Sequence, residues 1–458
     1  MGDASKDLDR FLADHPDCGM IELLVADMVG VLRGKRVLPE EFGKVFSKGF
    51  NIPASAVMLD TLGAVITGLP YGAEDGDPDV YARVVPGTLA PIPWARRPCG
   101  QALFSLYDRD GAPYFADPRH VLARATLPLR ERGLTIVMAA ELEFYLLDAA
   151  HRGVAPRLPA IPGTGHGQRG EQVYHPQDLW ELEPFLDDLT ATCRAQSLPM
   201  GTTISEFAPG QFEVNLQHIA DPLAACDHAV LLKRAVRAAA RRHGTAACFM
   251  AKPFAEYAGN GLHLHVSLLR KDGTNFFSDG DPALAVPPFD NGLRHAVGGL
   301  QATMADAMAV FAPNANSYRR LRPDFFAPVM PNWGVNHRGV SIRIPLSGPT
   351  NLRIEHRTAG ADANPYLVAA AVIAGIHYGL EHELEPDRLV EEGEEVELVT
   401  TLPVRWDEAL DRFRASTFLP QYLGGEYCRV YEHARRVENR RFHNEITDRD
   451  YQWYLRNV

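Results

Sequence analysis

Residues 262–268 read Leu-His-Leu-His-Val-Ser-Leu. Successive side chains of an extended chain point to opposite sides, so Leu262, Leu264, Val266 and Leu268 make one face. His263, His265 and Ser267 make the other. Three more stretches repeat the signature. Ile136–Leu147 (IVMAAELEFYLL) turns Glu141 and Glu143 the same way. Gln211–Gln217 (QFEVNLQ) sets Phe212, Val214 and Leu216 against Gln211, Glu213, Asn215 and Gln217. Leu352–Arg357 (LRIEHR) sets Leu352 and Ile354 against Arg353, Glu355 and Arg357. The expectation is four strands, each apolar on one face and carrying acids, imidazoles or guanidiniums on the other.

The plain reading of such strands is a solvated polar face. The choice of residue types argues for chemistry instead, because ordinary exposed faces mix Lys, Thr and Ser with everything else. Carboxylates grouped with histidine suit Mg²⁺ or Mn²⁺, which prefer oxygen ligands and accept an occasional imidazole. Cysteine is absent from all four stretches, which speaks against zinc or iron–sulfur. Arginines beside them would hold phosphate oxygens by charge-assisted hydrogen bonds. Metal ions with arginines are the equipment for phosphoryl transfer.

The rest of the chain is compatible with that reading. It has 458 residues, 46% apolar, enough for a large core divided into two or three domains. Lys plus Arg is 46 against 58 for Asp plus Glu, a net charge of −12, which suits sequence-independent nucleic-acid binding poorly. Six cysteines are scattered with no C-x-x-C pair, pointing to reduced thiols and a cytoplasmic compartment. The N-terminus has no apolar signal core, and the most apolar helical stretch, Tyr366–Ile376, is well short of the ~20 residues a membrane span needs.

Ser5–Ala13 reads as a helix. Met20–Ala26 and Val31–Leu38 read as strands joined by the turn Asp27–Gly30. Pro91–Pro98 (PIPWARRP) is too proline-rich for regular structure and is the candidate linker between a small N-terminal domain and the remainder. Asp117-Pro118 and Asp221-Pro222 each open a helix, the second running to Gly244. Arg237, Arg241, Arg242 and His243 close that helix, where cations suit the macrodipole. The acidic run from Glu391 to Glu397 reads as a solvated loop. Gly165–Gly170 matches G-x-G-x-x-G but follows no strand, so it reads as a plain loop, and no P-loop motif is present.

These residues resemble the glutamine synthetase family along most of the chain. The pieces are Asp27–Gly30, Glu141–Phe144, Glu206–Glu213, Asn260–Ser267, Asn316–Leu321, Arg338–Pro345, Arg353–Arg357 and Ala363–Tyr366, in the family's order. The resemblance implies an α+β fold: a β-grasp domain over residues 1–105, then a catalytic domain over 106–458 with a curved antiparallel sheet flanked by helices. It also implies a homo-oligomer, a dodecamer of two hexameric rings, with active sites between neighbouring subunits and no nucleic-acid or membrane partner. One metal would be held by Glu143, Glu206 and Glu213, and a second by Glu141, His263 and Glu355, with Mg²⁺ or Mn²⁺ as the ions. ATP would meet His265, Ser267, Arg338, Arg343 and Arg353. Glutamate would meet Glu143, Gly259, His263, Arg320 and Arg357. Catalytic parts would fall to Asp27, Arg338 and Glu206, with Asp27 reaching into the adjacent subunit to deprotonate the amine.

The pattern departs from ammonia-using members at Pro323–Pro328 (PDFFAP), where Phe326 stands at the position of a flap glutamate, and at Ala258, where a glutamate-binding asparagine is expected. Trp333 and Asn336 resemble the γ-glutamyl-amide ligases that accept organic amines. The resemblance thus implies an ATP-dependent ligase that joins the γ-carboxylate of glutamate to an amine through γ-glutamyl phosphate. Phe325, Phe326 and Trp333 are the expected amine pocket, favouring a small alkyl or aromatic monoamine because apolar burial contributes about 0.8 kcal/mol per methylene. The alternatives are a γ-glutamylputrescine (polyamine) synthetase, an ammonia-using glutamine synthetase and a catalytically silent regulatory relative.

Overall fold

The computed structural model describes residues 3–167, 170–171, 173–322, 327–394 and 399–458. Its N-terminal part contains β1 (Ile21–Ala26), β2 (Leu32–Val37), β3 (Phe50–Pro53), β4 (Asp79–Val84), β5 (Ala90–Pro91) and β6 (Gly100–Tyr107). They form a sheet in the order β2-β1-β6-β4-β3, with β5 added against β6. The expected β1–β2 hairpin is present and antiparallel, and β1 also runs parallel to β6. The first helix, Ala4–Asp14, buries Leu8 and Phe11, and Asp3 caps it by accepting from Ser5 N.

The proline-rich segment 91–98 is not a linker. It joins β5 to β6 within one sheet, with Ile92 N donating to Cys99 O at 2.9 Å. Proline rules out ladder donation at those residues, yet a loop between two paired strands tolerates it as well as a domain junction does. The division expected after residue 105 falls inside β6.

The second sheet holds β7 (Thr135–Asp148), β8 (Met200–Ser205), β9 (Gln211–Leu216), β10 (Thr245–Cys248), β11 (Leu262–Leu269), β12 (Trp333–Val335), β13 (Ile342–Ile344) and β14 (Ile354–His356). Its order is β12-β13-β14-β11-β7-β9-β8, with β10 also against β7. Every pair is antiparallel except β12 with β13. The stretch expected as a strand from Leu352 to Arg357 is shorter, because the 3-10 turn Pro349–Asn351 leads into it.

The alternation read from the sequence is borne out face by face. Leu262, Leu264, Val266 and Leu268 are all 0% exposed, and Ile136, Met138, Leu142, Phe144, Phe212 and Val214 are buried with them. Helices pack over this sheet, including Pro118–Glu131 and Pro222–Arg242, both opened by aspartates as expected. Asp117 accepts from Arg119 N, and Asp221 from Leu223 N and Ala224 N. Asp227 ties three helices together, taking Arg119 Nε at 3.0 Å and Tyr366 Oη–H at 2.7 Å. Tyr366–Ile376 lies within the helix Pro365–His382 and is packed inside the molecule. Among the described residues no helix is long and apolar enough to cross a membrane.

Candidate active site

Period-two alternation puts Glu141 and Glu143 on the same side of β7, and antiparallel pairing brings partners beside them. Glu143 stands opposite Glu213, and Glu141 lies between Asn215 on one side and His263 on the other. One step along, His265 pairs with Glu355, and Glu355 in turn with Arg343. Chemistry-bearing residues from β9, β7, β11, β14 and β13 therefore lie in rows across five adjacent strands, on the face away from the packed apolar side chains.

Two groups of donor atoms emerge. Glu141, His263 and Glu355 each present one atom within 4.8 Å of the others, and so do Glu143, Glu213 and His263. His263 belongs to both: Nδ1 lies 3.3 Å from Glu141 Oε2 and Nε2 3.8 Å from Glu143 Oε1. Glu143 also accepts from Gly261 N at 2.6 Å. Glu206, just past β8, accepts from Phe207 N at 3.2 Å.

The electrostatics divide these carboxyls into two kinds. Burial opposes ionisation of Glu141, but hydrogen bonds from His263 and His265 outweigh it and hold the group well below the ordinary range. Burial likewise opposes Glu355, yet Arg357 and the two histidines pull it down to about 2. Burial pushes Glu206 up to about 7, with the charge of Glu143 adding to it and Arg338 and Arg357 opposing. Glu213 rises well above its usual value through burial and then through Glu141, Glu143 and Glu206. Carboxylates crowded in a buried site without enough cationic partners are a donor set that fits a hard divalent cation, whose charge would relieve the repulsion.

Arginines border the cluster. Arg343 donates to Glu355 Oε2 at 2.6 Å, and Arg357 pairs with the other oxygen of Glu355. Arg353 Nε donates to His265 Nδ1 at 3.2 Å. Arg320 is buried and donates to Thr358 O at 2.9 Å, lying against Gly259 and Gly261. A Cβ at Gly259 would sit 2.7 Å from Arg320 Cγ, and one at Gly261 would sit 2.7 Å from His263 Nε2, so only glycine lets this backbone approach the cluster.

Some supporting residues carried no sequence assignment. Asn215 donates to Glu141 Oε1 at 3.0 Å, and Gln211 donates to Gly259 O at 2.9 Å and Asn260 Oδ1 at 3.0 Å. Both stand on the polar face of β9, where alternation had placed them without a role.

Other expected site residues are committed to contacts within the chain or lie outside the described residues. Asp27 is 0% exposed, and its carboxylate accepts from Val29 N, Val31 N and Arg33 Nε inside its own turn. In the single chain these bonds tie the carboxylate to the hairpin. Ser267 is buried, donates its hydroxyl to Leu352 O at 2.9 Å and accepts from Asn275 Nδ2 at 3.2 Å. Trp333 is 6% exposed, donates Nε1–H to Asp387 O at 2.7 Å and packs near Phe289, so it is part of the wall. Phe325 and Phe326 lie outside the described residues.

With this geometry in view, the comparisons with known proteins fall in line. The profile described as glutamine synthetase, catalytic domain, matches residues 115–454. The chain is 39% identical over 457 residues to gamma-glutamylputrescine synthetase PuuA of Escherichia coli (strain K12), spanning 99% of this chain and 95% of that one. It is 29% identical over 459 residues to glutamate–isopropylamine ligase of a Pseudomonas species, spanning 97% and 96%. The solved GmaS/ADP complex superposes with a TM-score of 0.83 at 25% identity, over 99% of this chain and all of that chain.

Proposed function

The chain belongs to the glutamine synthetase family and is an ATP-dependent carbon–nitrogen ligase, and from that premise we propose that it joins the γ-carboxylate of glutamate to an organic amine. The observation that carries the reading is the pair of Glu/His groups sharing His263, bordered by arginines on Glu355. A silent relative has no physical reason to keep so many charged groups crowded in one buried place.

In this reading Glu143, Glu206 and Glu213 would hold one divalent ion and Glu141, His263 and Glu355 another, Mg²⁺ or Mn²⁺. Bound there, the ions would neutralise charge on the phosphates of ATP. Gly259, Arg320 and Arg357 orient glutamate so that its γ-carboxylate faces the terminal phosphate. Arg338, Arg343 and Arg353 stabilise the charge that spreads over the transferring group. The product, γ-glutamyl phosphate, is an activated acyl group that a neutral amine attacks to give an amide and phosphate. An ammonium has no lone pair, so a base must take its proton first. Asp27, buried against Arg33, is not offered as that base. The active oligomer in this reading is the dodecamer of two hexameric rings, working in the cytoplasm.

The amine we propose is an aliphatic diamine of the putrescine kind. The chain is more similar to the putrescine enzyme than to the isopropylamine one, 39% against 29%. The monoamine expectation rested on three aromatic residues, and the one that is described, Trp333, is tied into the wall. Phosphate release with ATP and glutamate, measured over putrescine, isopropylamine, ethanolamine and ammonia, tests both levels. Putrescine should give the highest kcat/KM. A preference for isopropylamine sinks the diamine reading alone, a preference for ammonia sinks the organic-amine reading, and no glutamate-dependent release sinks the ligase assignment for this substrate.

A further inference from the structure

Asn336 has a left-handed backbone, φ +52, which non-glycine residues seldom adopt and asparagine tolerates better than most. It follows β12, and its N–H donates to Ile344 O at 2.8 Å, so β13 fixes the kink. The kink splits neighbouring side chains. Asn336 Oδ1 accepts from Arg343 Nη2 at 2.7 Å, while His337 turns the other way and places Nε2 3.1 Å from Glu394 O.

Arg343 is therefore held at both ends of its fork. Nη1 donates to Glu355 Oε2 at 2.6 Å and Nη2 to Asn336, and these two bonds fix the plane of the guanidinium. Its Nε is buried and, among the described residues, has no hydrogen-bond partner. An arginine whose guanidinium plane is fixed at two points while its side chain stays 14% exposed is pre-oriented for an acceptor from outside the chain. Backbone held in a sparsely populated region is a reason to look for such a function.

We propose that Asn336 is a positioning residue that sets Arg343 for a phosphate oxygen of ATP, and that the left-handed kink exists to aim its amide. This rests on the ligase reading, in which Arg343 meets ATP. The test uses the full-length oligomer with glutamate and the best amine of the panel. Asn336→Gly keeps the left-handed backbone and removes the acceptor, whereas Asn336→Asp keeps an acceptor at the same place. Asn336→Gly should raise the KM for ATP about tenfold, leave the KM for glutamate within about twofold, and keep the thermal midpoint of the parent. Asn336→Asp should recover most of the ATP affinity. Unchanged ATP kinetics in Asn336→Gly overturns the proposal, and so does an equal rise in both KM values with a lowered midpoint, which marks a merely structural residue. Parent enzyme without glutamate-dependent phosphate release would refute the ligase reading instead, and a direct titration of ATP onto the parent and Asn336→Gly still decides the role of Asn336.

Discussion

His265 Nε2 lies 2.8 Å from Glu141 Oε1, on the neighbouring strand. Arg353 Nε donates to the other ring nitrogen, Nδ1, at 3.2 Å, so the ring stands between the guanidinium and the carboxylate. The resemblance placed His265 in the nucleotide pocket; its position makes it a support for a carboxylate of the cluster as well. Removing such a support usually weakens metal binding 10–100-fold. His265→Ala should therefore lose about that factor in Mn²⁺ affinity, read by paramagnetic resonance titration without substrates. Parent-like affinity would detach His265 from Glu141's role.

Glu213 gives a second test of the cluster. Burial and the three neighbouring glutamates push its carboxyl well above the usual range, so its ionised form is destabilised when no cation is present. Glu213→Gln keeps the shape and removes that charge. In chelator-treated protein it should raise stability by about 1–2 kcal/mol, while the rise in melting temperature on adding Mg²⁺ or Mn²⁺ should shrink. A variant as strongly stabilised by metal as the parent would take Glu213 out of the site.

Asp27 sets a pH-dependent stability. Burial raises its carboxyl to about 6, against the pull of Arg33, whereas an unfolded aspartate sits near 3.9. Between about pH 4 and 6 the folded chain keeps a proton that the unfolded chain has released. The contribution is thus full below about pH 4 and lost as pH rises through about 6, a span of roughly 3 kcal/mol. Asp27→Asn cannot titrate, so its melting temperature relative to the parent should climb over that window. Activity should persist in the variant, and abolished amide formation in a well-folded Asp27→Asn protein would restore a catalytic part for this residue.

The helices Asn291–Phe311 and Pro365–His382 cross at three glycines, Gly299, Gly375 and Gly379. A Cβ on Gly379 would collide with the carbonyl of His295 and the backbone of Gly299. Overpacking of this kind costs about 1–3 kcal/mol. Gly379→Ala should lower the denaturation midpoint accordingly while leaving kcat and KM unchanged well below it, since the crossing contributes no side chain to the cluster.

By itself the sequence determined which side chains share a face. Glu141 with Glu143, His263 with His265, and Arg353 with Glu355 and Arg357 follow from alternation, a local property of extended backbone that survives any arrangement of the strands. The helix starts at Asp117 and Asp221 were legible for the same reason, since a cap acts within three residues. Only the tertiary structure decided that β14 lies beside β11 and β9 beside β7, bringing Glu355 to His265 and Glu213 to Glu143 across long stretches of chain. Burial was equally out of local reach: nothing around Asp27 or Trp333 announces that one is spent on Arg33 and the other on the carbonyl of Asp387. Strand order and burial depend on how distant apolar faces pack together, and a window of a few residues does not contain the partner that decides them.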